Sequence, residues 1–249
     1  MGKLDGKTSI VTGASSGVGR GVAIALAKEG SNIVIVARNQ ERMKKTAEEC
    51  EKYGVKTLCV SCDVTKADEL KAMVEKAAET FGTIDVLVNN AVTATQVISI
   101  MDHTDEMWDE VMESGLHATW NLMRLVYPYM SSQKSGSIIN VTSAAALMSM
   151  PLYGAYAAAK AGIYALTKVA AGEWAPYIRV NSIAPMANSH LFEKQSPEWV
   201  AEFVKTLPLG YLGEAEQDIG PVVAFLASDE SKYVTGENIN CNGGIDLHM

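Results

Sequence analysis

The segment Thr12-Gly13-Ala14-Ser15-Ser16-Gly17-Val18-Gly19 stands between two runs of different pattern in this 249-residue chain. The run before it, Thr8–Thr12, is rich in β-branched residues and typical of a strand. The run after it, Gly17–Glu29, is rich in Ala, Val and Leu and typical of a helix. Glycines at such a turn let the backbone approach a pyrophosphate, and free N–H groups at the helix start favour an anion. The segment predicts a dinucleotide site, with a plain glycine-rich loop as the alternative. The residues assigned to this site are Gly13, Ser15, Ser16, Gly17, Val18 and Gly19.

The alternation of strand and helix patterns continues along the chain. The further predicted strands are Asn32–Ala37, Thr57–Ser61, Val86–Val88, Ser137–Val141, Arg179–Ile183 and Asn238–Cys241. The helical runs Gln40–Tyr53 and Ala67–Phe81 each stop at a glycine. Apolar strands separated by helices indicate a parallel sheet covered on both faces, and right-handed crossovers make that sheet doubly wound. No repeat or linker interrupts the pattern, so we predict one α/β domain of Rossmann type over residues 1–249.

Composition excludes several classes of protein. The chain has 48% hydrophobic and 20% charged residues, which excludes a disordered protein. No run of about 18 apolar residues is present, so a membrane-spanning helix is not expected. The net charge of −8 disfavours binding to nucleic acid. The start of the chain, Met1-Gly2-Lys3-Leu4-Asp5, lacks the apolar core of a signal peptide, and we expect a cytoplasmic protein.

The pair Cys59 and Cys62 has the spacing of a zinc or redox motif. A structural zinc site needs a second pair of ligands at suitable spacing, and none follows. The surrounding run, Thr57–Ser61, has the pattern of a buried strand, in which cysteine behaves as a small hydrophobe. We therefore predict reduced thiols and no metal site.

The end of the second strand indicates the cofactor. It runs Val36-Ala37-Arg38-Asn39, without the carboxylate that usually binds the ribose of NAD. The guanidinium of Arg38 suits a 2′-phosphate, so we predict NADP(H), with a surface arginine before a helix as the alternative. Asp63, after the third strand, is expected to accept from the adenine amino group, with a helix-capping or turn role as the alternative. Its neighbour Val64 is assigned to the same end of the cofactor.

Tyr156 and Lys160 are four residues apart in an Ala-rich helical run, which places both side chains on one face. A free tyrosine has a pKa near 10 and is about 0.1% ionised at pH 7. Lowering that pKa by about 3 units takes about 4 kcal/mol, which we expect Lys160 and a positively charged nicotinamide to supply. Tyr156 would then exchange a proton with an alcohol or ketone oxygen, to which Ser143 also donates. A chance surface pair is the alternative.

The order and spacing of these motifs resemble the short-chain dehydrogenase/reductase family from Leu4 to Gly244. The glycine segment, Asn89-Asn90-Ala91, Ser143, Tyr156 and Lys160 carry the resemblance. It implies a Rossmann-type domain, usually a homotetramer, that moves hydride between a nicotinamide and an alcohol or ketone carbon. It also implies that Lys160 holds the nicotinamide ribose and that Asn90 lies along the cofactor.

The sequence departs from the family pattern at three places. Val92 stands where the family often has glycine after Asn-Asn-Ala, and Met186 stands where it often has glycine after proline. Gly115, seven residues after Trp108, stands where family members of this pattern carry a catalytic Asn that helps hold a water linking the lysine to solvent. Ser114 or His117 is the candidate to supply the polar group that the family Asn provides. Gly115 and its neighbours resemble a subgroup that contains bacterial bile-acid 12α-hydroxysteroid dehydrogenases.

Three segments after the fourth, fifth and sixth strands are expected to line the substrate site: Val92–Met101, Ala144–Leu152 and Met186–Leu209. Their Leu, Met, Phe and Trp residues suit a bulky apolar ligand, with core packing or a subunit contact as the alternative. Their only basic residues besides histidine are Lys194 and Lys205, which disfavours a carrier-bound substrate. Small residues in Ala155–Ala171 allow close helix packing, either between subunits or within one.

The leading hypothesis is an NADP(H)-dependent oxidoreductase that acts on a lipophilic alcohol or ketone such as a hydroxysteroid or bile acid. The first alternative is a 3-oxoacyl-carrier-protein reductase. The second is a non-catalytic NADP-binding regulatory or scaffold protein, which the glycine at position 115 suggests and the set Ser143, Tyr156 and Lys160 disfavours.

Overall fold

The computed structural model describes residues 2–93, 97–188, 192 and 195–247, apart from the side chain of Leu147. Within these residues, parallel strands form one seven-stranded sheet. The strands are β1 (Thr8–Thr12), β2 (Asn32–Ala37), β3 (Thr57–Ser61), β4 (Val86–Asn89), β5 (Gly136–Val141), β6 (Ile178–Pro185) and β7 (Asn238–Cys241). The predicted α/β fold class is confirmed.

Helices connect the strands. They are α1 (Gly17–Lys28), α2 (Gln40–Glu51), α3 (Ala67–Phe81), α4 (Asp105–Met112), α5 (Ala118–Gln133), α6 (Ala144–Leu147), α7 (Gly154–Trp174), α8 (Pro197–Lys205) and α9 (Gly220–Ala227). Short 3-10 turns span Ile100–Asp102 and Asp229–Ser231, and π-helical turns span Glu113–His117 and Ala215–Ile219. None of the helices in the described ranges is long and apolar enough to cross a membrane.

The order of the strands in the sheet is β3-β2-β1-β4-β5-β6-β7. The chain therefore winds outward from β1 in one direction as far as β3 and then crosses over to β4 on the other side. In open parallel sheets, ligands bind at this change of direction, beyond the carboxyl ends of the strands. The glycine segment after β1 and Asn90 after β4 flank that crevice.

Apolar side chains cover both faces of the sheet. On one face, α1, α2 and α9 pack through residues such as Val22, Met43 and Val223. On the other, α3, α5 and α7 pack through residues such as Leu70 and Val126. Because both faces are covered, the central strands are mostly buried, including the polar side chains that several of them carry.

The strand β3 differs from the prediction of a buried strand. It lies at the edge of the sheet, and its residues are half-buried or exposed. Cys59 is accordingly half-buried, whereas Cys62, just after the strand, is buried and packs in the core. Burial raises the pKa of the Cys62 thiol to about 11, so this sulfur behaves as part of the apolar core.

Candidate active site

The glycine segment forms a tight turn that only glycine fits at two places. Gly13 has φ +66, and a Cβ there would lie 2.7 Å from Nδ2 of Asn90. A Cβ at Gly19 would lie 2.5 Å from the same Nδ2. At Gly17, by contrast, a Cβ would meet no described atom within 4 Å. The start of α1 is therefore open at Gly17, where a phosphate group can approach the backbone.

Asn90 joins the two sides of the crevice. Its Nδ2 donates to the carbonyl oxygen of Thr12 at 2.8 Å, and its backbone N–H donates to Thr12 Oγ1 at 2.9 Å. The next backbone N–H, from Ala91, donates to the same Oγ1 at 3.0 Å. Thr12 was not assigned a role from the sequence, but its hydroxyl fixes the loop after β4 to the glycine segment. Val92 follows Ala91 in the same loop.

The predicted adenosine end contains Arg38, whose guanidinium is exposed, and Asp63, whose carboxylate already accepts hydrogen bonds within a turn. Arg38 directly follows β2 and is exposed. Asp63 Oδ1 accepts from the backbone N–H of Thr65 at 3.0 Å and from its hydroxyl at 2.9 Å. These hydrogen bonds lower the pKa of Asp63, so the turn role proposed as the alternative is present. Val64 packs its side chain against the core.

A cleft of about 400 Å³ opens beside the start of α1. It lies between Ser16, at the N-terminus of α1, and the π-helical turn Ala215–Ile219. Arg20 and Arg42 also line it, and neither was assigned a role from the sequence. Arg42 lies in the first turn of α2, four residues after Arg38 in the sequence, and this closeness in sequence was the available signal. The side-chain hydroxyl of Ser16 makes no capping hydrogen bond with α1.

Tyr156 lies beside Ser143 in a half-buried position. Ser143 follows β5 and begins α6, where its Oγ accepts from the backbone N–H of Ala145 at 3.2 Å. Burial raises the pKa of the Tyr156 hydroxyl, and its hydrogen bond with Ser143 opposes this shift in part. The predicted lowering of this pKa by Lys160 together with a positively charged nicotinamide stays a prediction; in the chain alone, burial outweighs the effect of the neighbouring groups. Tyr156 therefore holds its proton at neutral pH.

Lys160 lies one turn along the same face of α7 and is only 1% exposed. Its Nζ donates to the carbonyl oxygen of Val141, the last residue of β5, at 2.6 Å. The same atom lies 5.6 Å from the centre of the Tyr156 ring. Burial lowers the pKa of Lys160 to about 8. The end of β5 and one face of α7 thus bring Ser143, Tyr156 and Lys160 together.

The segment around Gly115 is a π-helical turn between α4 and α5. Within it, Ser114 Oγ donates to the carbonyl oxygen of Glu110 at 2.7 Å and accepts from the backbone N–H of Thr93 at 3.0 Å. His117 lies on the exposed side, with Nδ1 2.8 Å from a carboxylate oxygen of Glu113. Both polar groups are engaged away from Lys160, so the structure does not support either as the substitute for the family Asn.

Two of the three predicted substrate segments contact each other. The backbone N–H of Ile98 donates to the carbonyl oxygen of Leu152 at 3.1 Å. In the third segment, the rings of Trp199 and Phe203 stack with centroids 5.3 Å apart, and Phe192 lies 5.4 Å from Phe203. Leu191 and Lys194 lie outside the described residues.

The comparisons with known proteins agree with this geometry. The family model described as enoyl-(acyl carrier protein) reductase matches residues 13–246. The chain is 40% identical over 256 aligned positions to a 12alpha-hydroxysteroid dehydrogenase of Clostridium sp., with 98% of each chain covered. It is 39% identical over 242 positions to a 3-oxoacyl-[acyl-carrier-protein] reductase of Staphylococcus epidermidis, covering 96% of this chain and 98% of the relative. The crystal structure of an NAD+-bound xylitol dehydrogenase superposes with a TM-score of 0.90 at 31% identity, covering 96% of this chain and 98% of the other.

Proposed function

The chain belongs to the short-chain dehydrogenase/reductase family and is an oxidoreductase of alcohol and ketone carbons, and from this premise we propose its cofactor and substrate. The cofactor is NADP(H), and the substrate is a lipophilic secondary alcohol or ketone, with a hydroxysteroid or bile acid as the favoured example. The observation that carries the proposal is the grouping of Ser143, Tyr156 and Lys160 at the carboxyl end of β5.

The residues of the crevice fit a dinucleotide. Gly17 leaves open space at the start of α1, and the hydroxyl of Ser16 makes no capping bond there. The neighbouring Arg38 is exposed, and Ala37 offers no carboxylate to repel a 2′-phosphate. These features support NADP(H), whereas the xylitol dehydrogenase neighbour was crystallised with NAD+. The cofactor preference is therefore to be measured as kcat/KM with NADPH and with NADH.

The chain's own groups perform the proton chemistry. The nicotinamide, when bound, supplies or accepts the hydride. In the reducing direction, the protonated Tyr156 hydroxyl gives its proton to the ketone oxygen, and Ser143 donates a hydrogen bond to the same oxygen. The buried ammonium of Lys160 is anchored to Val141 O, where it would hold the nicotinamide ribose and stabilise the phenolate left on Tyr156.

The substrate assignment rests on the apolar segments around the site and on the 12alpha-hydroxysteroid dehydrogenase relative. The aromatic group of Phe192, Trp199 and Phe203 supports an apolar ligand. A second candidate is a 3-oxoacyl-carrier-protein reductase, because relatives of that name match at nearly the same identity. We further propose a cytoplasmic homotetramer.

A screen of ketones tests the proposal. NADPH oxidation would be measured with bile-acid ketones, simple cyclic ketones and acetoacetyl thioesters. We expect turnover of the steroid ketones, and turnover of the thioesters alone would favour the second candidate. Absence of turnover with every ketone, together with retained NADPH binding, would favour the non-catalytic alternative.

The variant Tyr156→Phe tests the mechanism. It should abolish turnover while leaving NADPH affinity and thermal stability nearly unchanged, because only the proton-donating oxygen is removed. The matched control is Tyr164→Phe on the same helix, whose hydroxyl contacts Lys168 on the outer side. A Tyr156→Phe variant with most of the activity would show that the acid is misassigned.

A further inference from the structure

Two departures from the family pattern meet at one point in the structure. A Cβ built at Gly115 would lie 3.4 Å from Cγ2 of Val92 and 3.6 Å from Cβ of Ala159. By the resemblance stated from the sequence, Val92 stands where the family often has glycine and Gly115 where it carries an Asn. The larger side chain therefore comes from the loop after β4, and the smaller from the π-helical turn.

This contact lies directly beside the buried lysine. Ala159, the third member of the contact, precedes Lys160 on α7 and is fully buried. Ala159 belongs to a small apolar cluster that also includes Val111, Leu116 and Tyr156. The described side chains at this contact are therefore apolar, unlike the amide that the family pattern would place here.

A hydrogen bond holds the same loop against the same turn. The backbone N–H of Thr93, next to Val92, donates to Ser114 Oγ at 3.0 Å, next to Gly115. The loop thus docks through two adjacent residue pairs, one polar and one apolar. At its other end, the loop begins at Asn90, which is fixed to Thr12 beside the glycine segment.

We propose that Val92 and Gly115 form a complementary pair, in which the Val92 side chain fills the notch at Gly115 and positions the loop after β4 against α7 beside Lys160. The pair exchanges volume between the two positions relative to the family pattern, and such exchanges keep a core packed. Because Gly115 has no side chain, proton exchange of Lys160 does not run through a side chain at position 115. That last consequence, and the nicotinamide end of the site, rest on the proposed function.

The pair predicts how single and double variants behave. A side chain longer than one carbon at position 115 must share its space with the Val92 methyl group, because that group already touches the Cβ position. Gly115→Asn alone should therefore displace the loop, and Val92→Gly alone should leave a gap. The double variant Val92→Gly/Gly115→Asn restores the volume and should outperform both single variants.

The experiment measures thermal stability and two binding constants. The probes are NADPH, which has the nicotinamide half, and adenosine 2′,5′-bisphosphate, which lacks it. Gly115→Asn should lower the Tm by about 5 °C, as overpacking does in a chain of this size, and should weaken NADPH binding about tenfold. Binding of adenosine 2′,5′-bisphosphate should stay within about twofold, because the contact lies at the other end of the site. The control is Gly172→Asn on α7, where a Cβ would meet no described atom within 4 Å.

The double variant decides the inference. Recovery of both the Tm and the NADPH affinity, relative to Gly115→Asn, supports the pair. Losses in the double variant that equal the sum of the single losses would overturn it. An equal loss of affinity for both probes would overturn the positioning role, since a general structural defect acts on both. A wild-type protein that binds neither probe would contradict the proposed function, and the Tm comparison would still decide whether the two positions share space.

Discussion

At the scale of single residues, burial sets the titration of the two ionisable groups at the centre of the site. Lys160 is buried with one carbonyl partner, and its pKa falls to about 8. Tyr156 is half-buried against Ser143, and its pKa rises. Both shifts favour the neutral form, as burial does in general. The protein thus presents a protonated phenol at neutral pH, which suits the reduction of a ketone.

The buried charge of Lys160 should cost stability, which Lys160→Met would recover. A shift from 10.5 to about 8 corresponds to about 3 kcal/mol, and loss of the hydrogen bond to Val141 offsets part of it. We expect Lys160→Met to raise the unfolding free energy by about 1–2 kcal/mol at pH 7 and to abolish turnover.

The sign of this effect depends on pH. Below pH 8 the lysine is charged in both states, and the full cost is present. Between pH 8 and 10.5 the folded protein binds fewer protons than the unfolded chain, so wild-type stability rises relative to the variant. Melting at pH 7 and pH 9.5 should show the gap narrowing at the higher pH. The control Lys168→Met, at an exposed position of α7, should show no such change, and a constant gap for Lys160→Met would contradict the assignment.

Arg38 carries the cofactor prediction. Arg38→Asp should weaken NADPH by roughly ten- to a hundredfold, because a charged hydrogen bond is worth about 1.5–3 kcal/mol, and should affect NADH much less. The measurement is kcat/KM with each cofactor for the wild type and the variant. Lys44→Asp, a charge reversal at an exposed position of α2, is the control. Equal losses with both cofactors would make Arg38 a surface residue, and a wild type that prefers NADH would contradict the NADP(H) assignment.

At the scale of elements, a buried chain of polar side chains ties two central strands to α7. Asn89 Nδ2 donates to Asn140 Oδ1 at 2.9 Å, and Asn140 Nδ2 donates to Thr167 Oγ1 at 2.9 Å. All three residues are at most 4% exposed. Buried amides need such partners, so the chain fixes α7, and with it Tyr156 and Lys160, relative to β5.

Thr167→Val tests the contribution of this chain of hydrogen bonds. The substitution keeps the shape and removes the acceptor of Asn140, so we expect a loss of about 1–3 kcal/mol in the free energy of unfolding by urea. Thr80→Val is a matched control, because Thr80 also donates to the carbonyl four residues earlier but is exposed on α3. That control should change stability by less than about 0.5 kcal/mol. Equal effects of the two substitutions would show that the hydrogen bond to Asn140 contributes nothing to the free energy of unfolding.

The sequence predicted the elements well where periodicity and glycines mark them. The bounds of β1, β2 and α3 agree with the prediction residue for residue. The π-helical turn Glu113–His117 was missed, because an apolar helical pattern does not reveal one extra residue in a turn. The strand β3 was predicted as buried, because an apolar run does not show whether a strand lies at the edge of the sheet.

The candidate site was predictable in its residues but not in its electrostatics. The spacing of Tyr156 and Lys160 correctly places them on one face of a helix. The rise that burial causes in the Tyr156 pKa was not predicted, because a pairwise argument from spacing contains no information on burial. The contact between Val92 and Gly115 joins positions 23 residues apart. No local pattern reports such a contact.

At the scale of the whole molecule, the outer face of α5 and α7 is apolar and exposed. A groove of about 460 Å³ runs between the two helices, lined by residues such as Trp120, Tyr127 and Val169. Some small residues of α7, such as Ala159, are buried within the chain, whereas Ala161 and Ala165 are exposed. The groove also carries Arg124 and Glu173. An exposed apolar groove of this kind is typical of a contact between proteins, so we predict that a second copy covers this face.

Val169→Glu should break this interface. Val169 is 55% exposed in the single chain, and a carboxylate there would be buried without a partner when two apolar faces meet. Sedimentation should show a tetramer for the wild type and a smaller assembly for the variant at the same concentration. The control is Tyr233→Glu, at a side chain that is fully exposed and outside the groove. A Val169→Glu variant that sediments like the wild type, with its fold intact, would place the contact between copies on another face of the molecule.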